Sequence, residues 1–566
     1  MRLGLVILLC IASARADTDA TKKWKSECRW LEGQKKKFWR GYQERFNQGR
    51  LLMNAEIDKA WAQPDQHKEA TYDYTEFSKL YEDYDVLQEA LAEADLDYAK
   101  SGSPKALPDL FKQLLSVAKE IDALEKKLLN AKPKMAVRMF HQQPGIERQG
   151  LEVRRNGLVA AIAKCPGAAG FLARDGMKRA TTSDGRRSIG RRVAVLDALA
   201  LCGGPAAQAA IEPWLKAEET SLRIAAVEGL MRIGASARPA LAPLLADESP
   251  IVRRALLQEI VRDGGKDAGW VGPLVEALPQ AGGVERTLYV RALTAATKQP
   301  FGHAPTKWKE WFEEYKKEIE GGTFDRDNIE IQEVEPAPPA EVVTFYGIQT
   351  QSKGFLFIIE GSGRLAVPAD WEVQRTKFRT KWPGVRNNWE KEYPSHQTVL
   401  KRELTKTLEA CSADAHFGLI GLYGSWAIDT LGENKLATPT RRNVKAARKF
   451  IDKLTATGWC AQYEGFLCAA RMAGMDPEVS RADFPKARVD TVFLFDSGDP
   501  RGGRYMAPQP VVNAFKRYNR FRRLIVHTIR ICNEKEASEI LMKGIAEASG
   551  GTYVWMQKPP AEEGKQ

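Results

Sequence analysis

The sequence predicts a multidomain protein that is all-α in its N-terminal half and α/β, doubly wound with a mostly parallel sheet, in its C-terminal part. Three observations support this fold class. Before residue 135, apolar residues recur at steps of three, four and seven, which places them on one stripe of a helix. A helical pattern with a recurring arginine follows. Beyond residue 342, short apolar runs alternate with helical patterns, as in a parallel sheet covered on both faces.

Composition excludes several classes of protein. The 566 residues are 43% hydrophobic and 28% charged, with a mean hydropathy of -0.40. A disordered or collagen-like polymer does not have this balance. After the N-terminus there is no apolar run near 18 residues, which argues against a multi-spanning membrane protein. The length predicts three or four domains.

Residues 1–16 have the pattern of a secretory signal peptide. Arg2 precedes an apolar run over residues 3–12, and an A-x-A cleavage motif ends at Ala16. We therefore expect an exported protein, periplasmic or extracellular after cleavage near Ala16. Loss of Arg2 and Arg15 would lower the formal net charge from +12 to +10.

The cysteines do not suggest a structural zinc site. There is no C-x-x-C pair, and the chain has only six histidines. An odd number of cysteines after the signal peptide leaves at least one thiol without a partner in the chain. We interpret them as small buried apolar residues. These cysteines are Cys28, Cys165, Cys202, Cys411, Cys460, Cys468 and Cys532.

Residues 17–140 are predicted to form a helical bundle or coiled-coil hairpin. Three amphipathic stretches are separated by turn-forming residues at 64–65 and 101–104. Because the connections are short, antiparallel packing of long helices is expected. The aromatic residues on these stripes are interpreted as core.

Residues 150–320 contain an internal repeat. Amphipathic helices open at Arg192, Arg223 and Arg253, which are 31 and 30 residues apart, and a weaker copy opens at Arg286. A paired-helix unit at this period resembles HEAT-like repeats, although the period is short for them. A tryptophan-rich helix is expected to cap the array, which presents a surface to another macromolecule.

A proline-rich acidic segment, residues 325–341, is predicted to be the linker to the α/β domain, residues 342–558. Residues 559–566 are expected to be a disordered tail. Strands are predicted at 355–360, 417–423, 490–495 and 524–529, and helices at about 395–411, 440–456, 462–474, 508–519 and 534–548.

The segment after the first strand superficially fits a dinucleotide-binding loop. Gly361, Gly363 and Ala366 match G-x-G-x-x-G/A, but Pro368 and a long polar stretch follow where the phosphate-binding helix must begin. A nicotinamide or flavin enzyme is therefore not predicted.

The α/β domain resembles a von Willebrand factor type A (VWA) domain. Four segments carry this resemblance: residues 344–348, the first strand with Glu360-Gly-Ser-Gly-Arg364, the run 493–500 and the elements at 525–554. The combination of helical repeats, a tryptophan-rich closing helix and this domain resembles exported proteins of planctomycete-type bacteria. The resemblance implies a protein-binding domain with a metal-ion-dependent adhesion site at the carboxyl edge of the sheet.

In that family the adhesion site reads D-x-S-x-S in the first loop, a threonine in the second and an aspartate in the third. The oxygen ligands of these loops suit Mg²⁺ or Ca²⁺. The corresponding positions in this sequence are Glu360, Ser362, Arg364, Cys460, Asp496, Ser497 and Asp499.

These substitutions predict a degenerate site without a metal. Arg364 replaces a hydroxyl ligand, and two like charges about 4 Å apart repel by roughly 4 kcal/mol at intermediate dielectric. Cys460 offers a soft thiol where a hard oxygen belongs. Arg364 is expected to pair with Glu360 or Asp496, to capture a partner's carboxylate, or to face solvent. If a cation binds, the expected ligands are Glu360, Ser362 and Asp496, with Asp499 in a rearranged set.

No enzymatic motif occurs in its required context, so no enzyme and no cofactor are predicted. Cys460 and His527 offer the residue types of a nucleophile pair, but His527 falls in mid-strand and is interpreted as structural. The acidic and aromatic insertion at 369–393 is interpreted as a solvated loop rather than a glycan site.

The sequence thus predicts a non-catalytic interaction or scaffolding protein of the cell envelope. One alternative is a divalent-cation-dependent adhesion protein. Another is an envelope protein that binds polyanions or glycans through its net positive charge. The partners are expected to be proteins, with an anionic surface or a glycan as the alternative contact, and nucleic acid is not expected.

Overall fold

The computed structural model describes most of the chain. The predicted signal peptide and C-terminal tail lie outside the described residues. The described residues are 20–62, 75–101, 103, 105–130, 143–181, 189–339, 342–361, 365, 368–369, 394–423, 427–432, 435–454, 460–475, 488–498, 500, 503–505, 507–531 and 536–556.

The described residues form two compact units, one ending at Ile233 and the other beginning at Gly234. This division falls inside the repeat region, and residues 325–339 lie within the second unit. The domain boundaries predicted from the sequence are finer than this division and stay predictions.

The first unit is helical. A π-helical turn, Leu172–Gly176, separates two short helices, and a 3-10 turn, Glu212–Lys216, precedes the last helix. The α-helices are α1 (Ala20–Ala62), α2 (Thr75–Lys100), α3 (Ala106–Asn130), α4 (Gln143–Ala163), α5 (Ala168–Phe171), α6 (Met177–Thr181), α7 (Ile189–Cys202), α8 (Gly204–Ile211) and α9 (Thr220–Ile233).

A buried carboxylate joins three of these helices. Asp95 on α2 is fully buried; it pairs with Arg154 on α4 and accepts a hydrogen bond of 2.9 Å from the indole of Trp24 on α1. Trp24 also stacks on Tyr98 with 4.6 Å between ring centroids. Because removing one member of such a group leaves a buried charge uncompensated, the cluster holds the helices in one register.

The second unit begins with further helical repeats. Its 3-10 turns are Ala235–Ala237, Ala242–Ala246, Ala268–Trp270 and Leu278–Gln280. Its first α-helices are α10 (Arg238–Leu241), α11 (Pro250–Arg262), α12 (Val271–Ala277), α13 (Gly283–Thr297) and α14 (Pro305–Glu320).

The repeated arginine has a structural role in each unit. Arg223 donates to the carbonyl of Ala217 at 2.8 Å, and Arg253 donates to the carbonyl of Asp247 at 2.6 Å. Arg253 also forms a 2.8 Å ion pair with Glu285 on α13, the corresponding helix of the following repeat. Arg223 and Arg253 therefore each hold the turn that precedes their own helix, which explains why arginine recurs at these two positions.

The predicted proline-rich linker runs along the helical repeats. The backbone of Ala337 exchanges hydrogen bonds with His303 (3.0 Å) and Phe301 (3.3 Å). The side chain of Gln299 bonds the Glu330 carbonyl at 2.9 Å and the Gln332 amide at 3.0 Å. These contacts attach the described part of the segment to the repeats.

The α/β part contains a two-stranded hairpin and a six-stranded sheet in the order β5-β4-β3-β6-β7-β8, parallel except at β5. The strands are β1 (Val343–Phe345), β2 (Ile348–Thr350), β3 (Gly354–Glu360), β4 (His416–Tyr423), β5 (Ala427–Thr430), β6 (Thr491–Asp496), β7 (Ile525–Arg530) and β8 (Tyr553–Trp555). The helices are α15 (His396–Glu409), α16 (Arg441–Lys453), α17 (Gln462–Met472), α18 (Pro508–Asn519) and α19 (Glu536–Ser549).

This topology confirms the predicted fold class. The four predicted apolar runs correspond to β3, β4, β6 and β7, because strands buried on both faces read as continuous apolar runs. The antiparallel strand β5 and the hairpin were not predicted as separate strands. Both are short, so neither has enough residues for a distinct pattern.

Helices of the repeats cover the amino edge of the sheet. Arg523, just before β7, pairs with Glu259 on α11 at 3.2 Å, and Arg291 on α13 donates to the carbonyl of Gly550 at 2.7 Å. Arg254 on α11 interacts electrostatically with Asp490 before β6. Burial raises the pKa of the Asp490 carboxyl, and the charge of Arg254 opposes that shift.

In the described part of the chain, no single helix has both the length and the apolar character needed to cross a membrane. Two helical segments, Gly145–Ala163 and Ala168–Thr181, reach the required length and apolar character only when they are taken together. They are bent by 109° at the break between them.

Candidate functional site

A buried cluster of two carboxylates and a thiol lies at the carboxyl edge of the sheet. Glu360 is the last residue of β3 and Asp496 is the last residue of β6, the adjacent strand. Cys460 lies just before α17 and forms a β-bridge with Pro500, beyond β6. One ligand atom from each of the three side chains lies within 4.8 Å of the others.

Strand alternation explains why the two carboxylates face the same way. Ile359 and Phe495, one residue earlier on each strand, point into the core cluster that contains Val399 and Phe450 from α15 and α16. Because successive side chains alternate in direction, Glu360 and Asp496 point to the opposite face. There Gln462 on α17 donates a hydrogen bond to Asp496 Oδ1 at 3.0 Å.

The turn after β6 donates backbone hydrogen bonds to both carboxylates. The amide of Ser497 donates to Glu360 Oε2 at 2.5 Å, and the amide of Gly498 donates to Asp496 Oδ1 at 2.6 Å. Gly498 has a φ of 81°, and a Cβ there would lie 2.7 Å from the carbonyl oxygen of Ser538. Only glycine fits this turn without strain.

A buried arginine lies beside Asp496. Arg530, the last residue of β7, is 1% exposed and is the register partner of Asp496 in the sheet. It donates to the Tyr553 hydroxyl at 3.1 Å, and its guanidinium carbon lies 4.8 Å from the centre of the Trp555 ring. Sequence reasoning missed Arg530; its position at the end of the predicted apolar run 524–529 was the available signal.

The structure brings together Glu360, Cys460, Asp496 and Ser497, four of the positions that the sequence singled out. Ser497 is 1% exposed, and its hydroxyl has no hydrogen-bond partner in the described part of the chain. The other three predicted site residues, Ser362, Arg364 and Asp499, lie outside the described residues. The hypotheses about Arg364 therefore stay predictions.

The described donor set does not fit the hard cation that the family resemblance implies. Mg²⁺ and Ca²⁺ take oxygen ligands, whereas a thiolate suits zinc and softer metals. The carboxylates of Glu360 and Asp496 already accept hydrogen bonds from within the protein, and the cationic side chain of Arg530 is the neighbour of Asp496. Each of these features disfavours Mg²⁺ or Ca²⁺.

His527 has a structural environment on β7. Its Nδ1 accepts a hydrogen bond from the amide of Thr552 at 3.1 Å, and its ring stacks on Phe493 with 5.2 Å between centroids. Burial lowers its pKa to about 4. The ring is therefore held neutral by contacts that do not involve Cys460.

The first unit has an open cleft of about 450 Å³ beside the turn that follows α8. Arg192 pairs with Glu219 at 2.8 Å and lies 6.0 Å from the centre of the Trp214 ring. The arginine of this cleft is therefore paired with a carboxylate and lies near an indole ring. It is lined by Arg192, Pro213, Trp214, Ala217, Glu218 and Glu219.

No protein-family model and no curated protein matches the sequence. One similar solved structure is described as von Willebrand factor type A from Catenulispora acidiphila. The two sequences are 14% identical, the TM-score is 0.25, and the match covers 37% of this chain and 40% of that chain. The match spans less than half of either chain and carries no argument at this TM-score. The fold class rests on the observed strand order.

Proposed function

We propose that this protein is a non-catalytic binding or scaffolding protein of the cell envelope that holds a protein partner at the carboxyl edge of its sheet. The observation that supports this proposal is the convergence of Glu360, Cys460 and Asp496 within 4.8 Å at that edge. Ligands of open parallel sheets bind at the carboxyl ends of the strands, where loops from several strands meet.

Internal hydrogen bonds favour an eroded site that needs no metal. Each carboxylate accepts a backbone amide from the turn at 497–498, and Gln462 adds a third bond. These donors occupy one oxygen of each carboxylate, Glu360 Oε2 and Asp496 Oδ1, that a bound cation would otherwise use. In this proposal the cluster fixes the shape of the edge, and neighbouring loops contact the partner.

The amino edge of the sheet is less suited to a partner. Helices α11 and α13 of the same unit contact it through Glu259, Arg254 and Arg291. The sequence indicated two binding surfaces, the helical repeats and the carboxyl edge. This part of the repeats is already engaged within the chain, which favours the carboxyl edge.

Site-specific photo-crosslinking tests the proposal. A photoreactive residue at Gln509, exposed at the start of α18, samples the carboxyl edge, and one at Ala548, exposed near the end of α19, samples the opposite end of the sheet. In cells that produce the full chain, we expect a discrete protein adduct from position 509 and none from position 548. Adducts of equal yield at both positions, or none at either, would contradict the proposal.

The second candidate is divalent-cation-dependent adhesion, which the proximity of three potential ligands favours. Calorimetric titration of the full chain with Mg²⁺, Mn²⁺, Ca²⁺ and Zn²⁺ separates the two candidates. The eroded-site proposal expects no micromolar binding of the hard cations. Micromolar Mg²⁺ or Ca²⁺ binding that is lost in Asp496→Asn would replace it with cation-dependent adhesion.

A matched variant tests the role of the thiol. Cys460→Thr restores the hydroxyl that the family resemblance implies at the second loop, and it keeps a similar side-chain volume. A gain of Mg²⁺ binding in this variant would identify the thiol as the group that excludes the hard cation. Unchanged titrations would assign the exclusion to the internal hydrogen bonds and Arg530.

Export and origin belong to the same proposal. The signal-peptide pattern of residues 1–16 supports an exported protein, periplasmic or extracellular, and the repeat-plus-VWA resemblance supports a source among planctomycete-type bacteria. N-terminal sequencing of the secreted or periplasmic fraction tests export. A mature chain beginning near Asp17 is the expected result.

A further inference from the structure

The outer face of helix α16, Arg441–Lys453, carries a dense row of positive charge. Six of its thirteen residues are basic and one, Asp452, is acidic, so this helix holds +5 of the chain's formal net charge of +12. All six basic residues are exposed. At 100° per residue they occupy an arc of about 140° over a length of about 18 Å. They are Arg441, Arg442, Lys445, Arg448, Lys449 and Lys453.

The opposite face of α16 anchors it in the core. Val444, Ala447, Phe450 and Ile451 are buried and pack in the core cluster on one side of the sheet. The helix is therefore held with its basic face outward. Its apolar residues are engaged, so they are not available to insert into a lipid bilayer, as the apolar face of an interfacial helix does.

The basic side chains have no partners within the described residues. None of the six makes a side-chain hydrogen bond or ion pair there, whereas the one acidic residue, Asp452, pairs with Lys401 on α15 at 2.6 Å. Arg441 and Arg442 also lie in the first turn, where the helix dipole disfavours positive charge and acidic residues are absent. This surplus charge does not serve the stability of the helix.

The chemistry of the face indicates the class of ligand. Every fully exposed side chain on α16 is charged, and its only aromatic residue, Phe450, is buried. A protein interface needs an apolar or aromatic centre, and single-stranded nucleic acid is usually bound by stacking on aromatic rings. A row that offers only cations fits a linear polymer with repeated carboxylate or sulfate groups.

We propose that the outer face of α16 binds a linear anionic polysaccharide. The polysaccharide lies along the helix, and its anionic groups pair with the arginine and lysine side chains. This site is separate from the carboxyl-edge cluster and does not depend on the function proposed for it. Binding is expected to be electrostatic and to weaken as salt rises, because exposed charges are screened within a Debye length of about 8 Å at physiological salt.

Heparin, a linear polysaccharide with sulfate and carboxylate groups, is the probe for a titration of the full chain at several salt concentrations. We expect salt-dependent binding, and no binding of uncharged dextran. The triple variant Lys445→Gln, Arg448→Gln, Lys449→Gln is expected to lose at least about tenfold in affinity, since each cation near an anionic surface contributes about 1 kcal/mol, or fivefold.

A matched triple variant controls for net charge. Lys307→Gln, Lys309→Gln and Lys317→Gln remove the same charge from exposed positions on α14, where acidic residues are interspersed. This variant should keep heparin affinity within about twofold. Equal losses in the two variants would overturn the proposal, because binding would then follow net charge alone.

Competing ligands provide the remaining outcomes. Tighter binding to vesicles containing phosphatidylglycerol, or to single-stranded DNA, than to heparin at matched anion concentration would overturn the polysaccharide assignment. Absence of heparin binding at low salt would overturn it as well. Thermal unfolding of each variant, monitored by circular dichroism, verifies that a loss of binding is not a loss of fold.

Discussion

The carboxyl-edge cluster and the basic face of α16 differ in whether their charged side chains are buried and compensated. Glu360, Asp496 and Arg530 are each at most 3% exposed, and each has hydrogen bonds from its own surroundings. The six cations of α16 are exposed and make no ion pair within the described residues. Buried charge requires compensation inside the protein, whereas exposed charge does not. The first region therefore determines stability, and the second is free to meet a ligand.

The largest effect on stability is expected when a buried carboxylate at the carboxyl edge of the sheet is removed. Asp496→Ala removes the acceptor for the amide of Gly498 and for the side chain of Gln462, leaving two buried donors unsatisfied. We expect the free energy of unfolding to fall by about 3 kcal/mol. Urea denaturation of the full chain measures the change. Asp496→Asn keeps an acceptor oxygen and should lose less than half as much; equal losses would contradict the role given to these bonds.

The second prediction concerns a buried histidine near the same edge. His396, the first residue of α15, is fully buried 6.5 Å from the ring of Phe495, and burial lowers its pKa to about 3. Between about pH 3 and 6.5 the unfolded chain binds a proton here that the folded chain does not. The free energy of unfolding therefore decreases as the pH is lowered below 6.5. This group accounts for a decrease of about 2 kcal/mol at pH 5.

Urea denaturation at pH 7 and pH 5 measures this loss. His396→Phe removes the titrating group but keeps a planar ring, so the difference between the two pH values should shrink by about 2 kcal/mol. His527, whose pKa is lowered to about 4 by burial, adds a similar loss that this variant retains. A pH dependence that is unchanged in His396→Phe would contradict the prediction.

A smaller effect of opposite sign is expected on α16. Arg441 and Arg442 oppose the helix dipole in the first turn, so Arg442→Gln should raise the free energy of unfolding by about 0.3–1 kcal/mol. Thermal unfolding at low salt measures this gain, which should diminish at high salt. A loss of stability would show that Arg442 has a structural partner and would weaken the contrast between the two regions.

The smallest effect is expected in the middle of the same helix. Lys445→Gln changes an exposed side chain without an ion pair and should alter the free energy of unfolding by less than about 0.5 kcal/mol. Urea denaturation measures it beside Asp496→Ala. A decrease of more than about 1 kcal/mol in the free energy of unfolding would show that Lys445 stabilises the fold, which would contradict the contrast drawn between the two regions.

Much of the site was predictable because it lies at the ends of strands. The apolar runs 355–360 and 490–495 are long enough to be strands, and parallel strands bring their carboxyl ends to one edge. Glu360 and Asp496 could therefore be expected to meet. Their hydrogen bonds could not, because they depend on the backbone path of the turn at 497–498, which a glycine with positive φ determines.

The sequence by itself determined the four central strands β3, β4, β6 and β7 and the long helices, since local periodicity and complete burial leave a pattern within each of these segments. It also placed Cys460 among the candidate site residues. Only the tertiary structure decided that Arg530 lies beside Asp496, that Glu259 and Arg523 join the repeats to the sheet, and that the basic face of α16 points outward. Each of these depends on contacts between residues far apart in the chain, which a pattern within one segment does not encode.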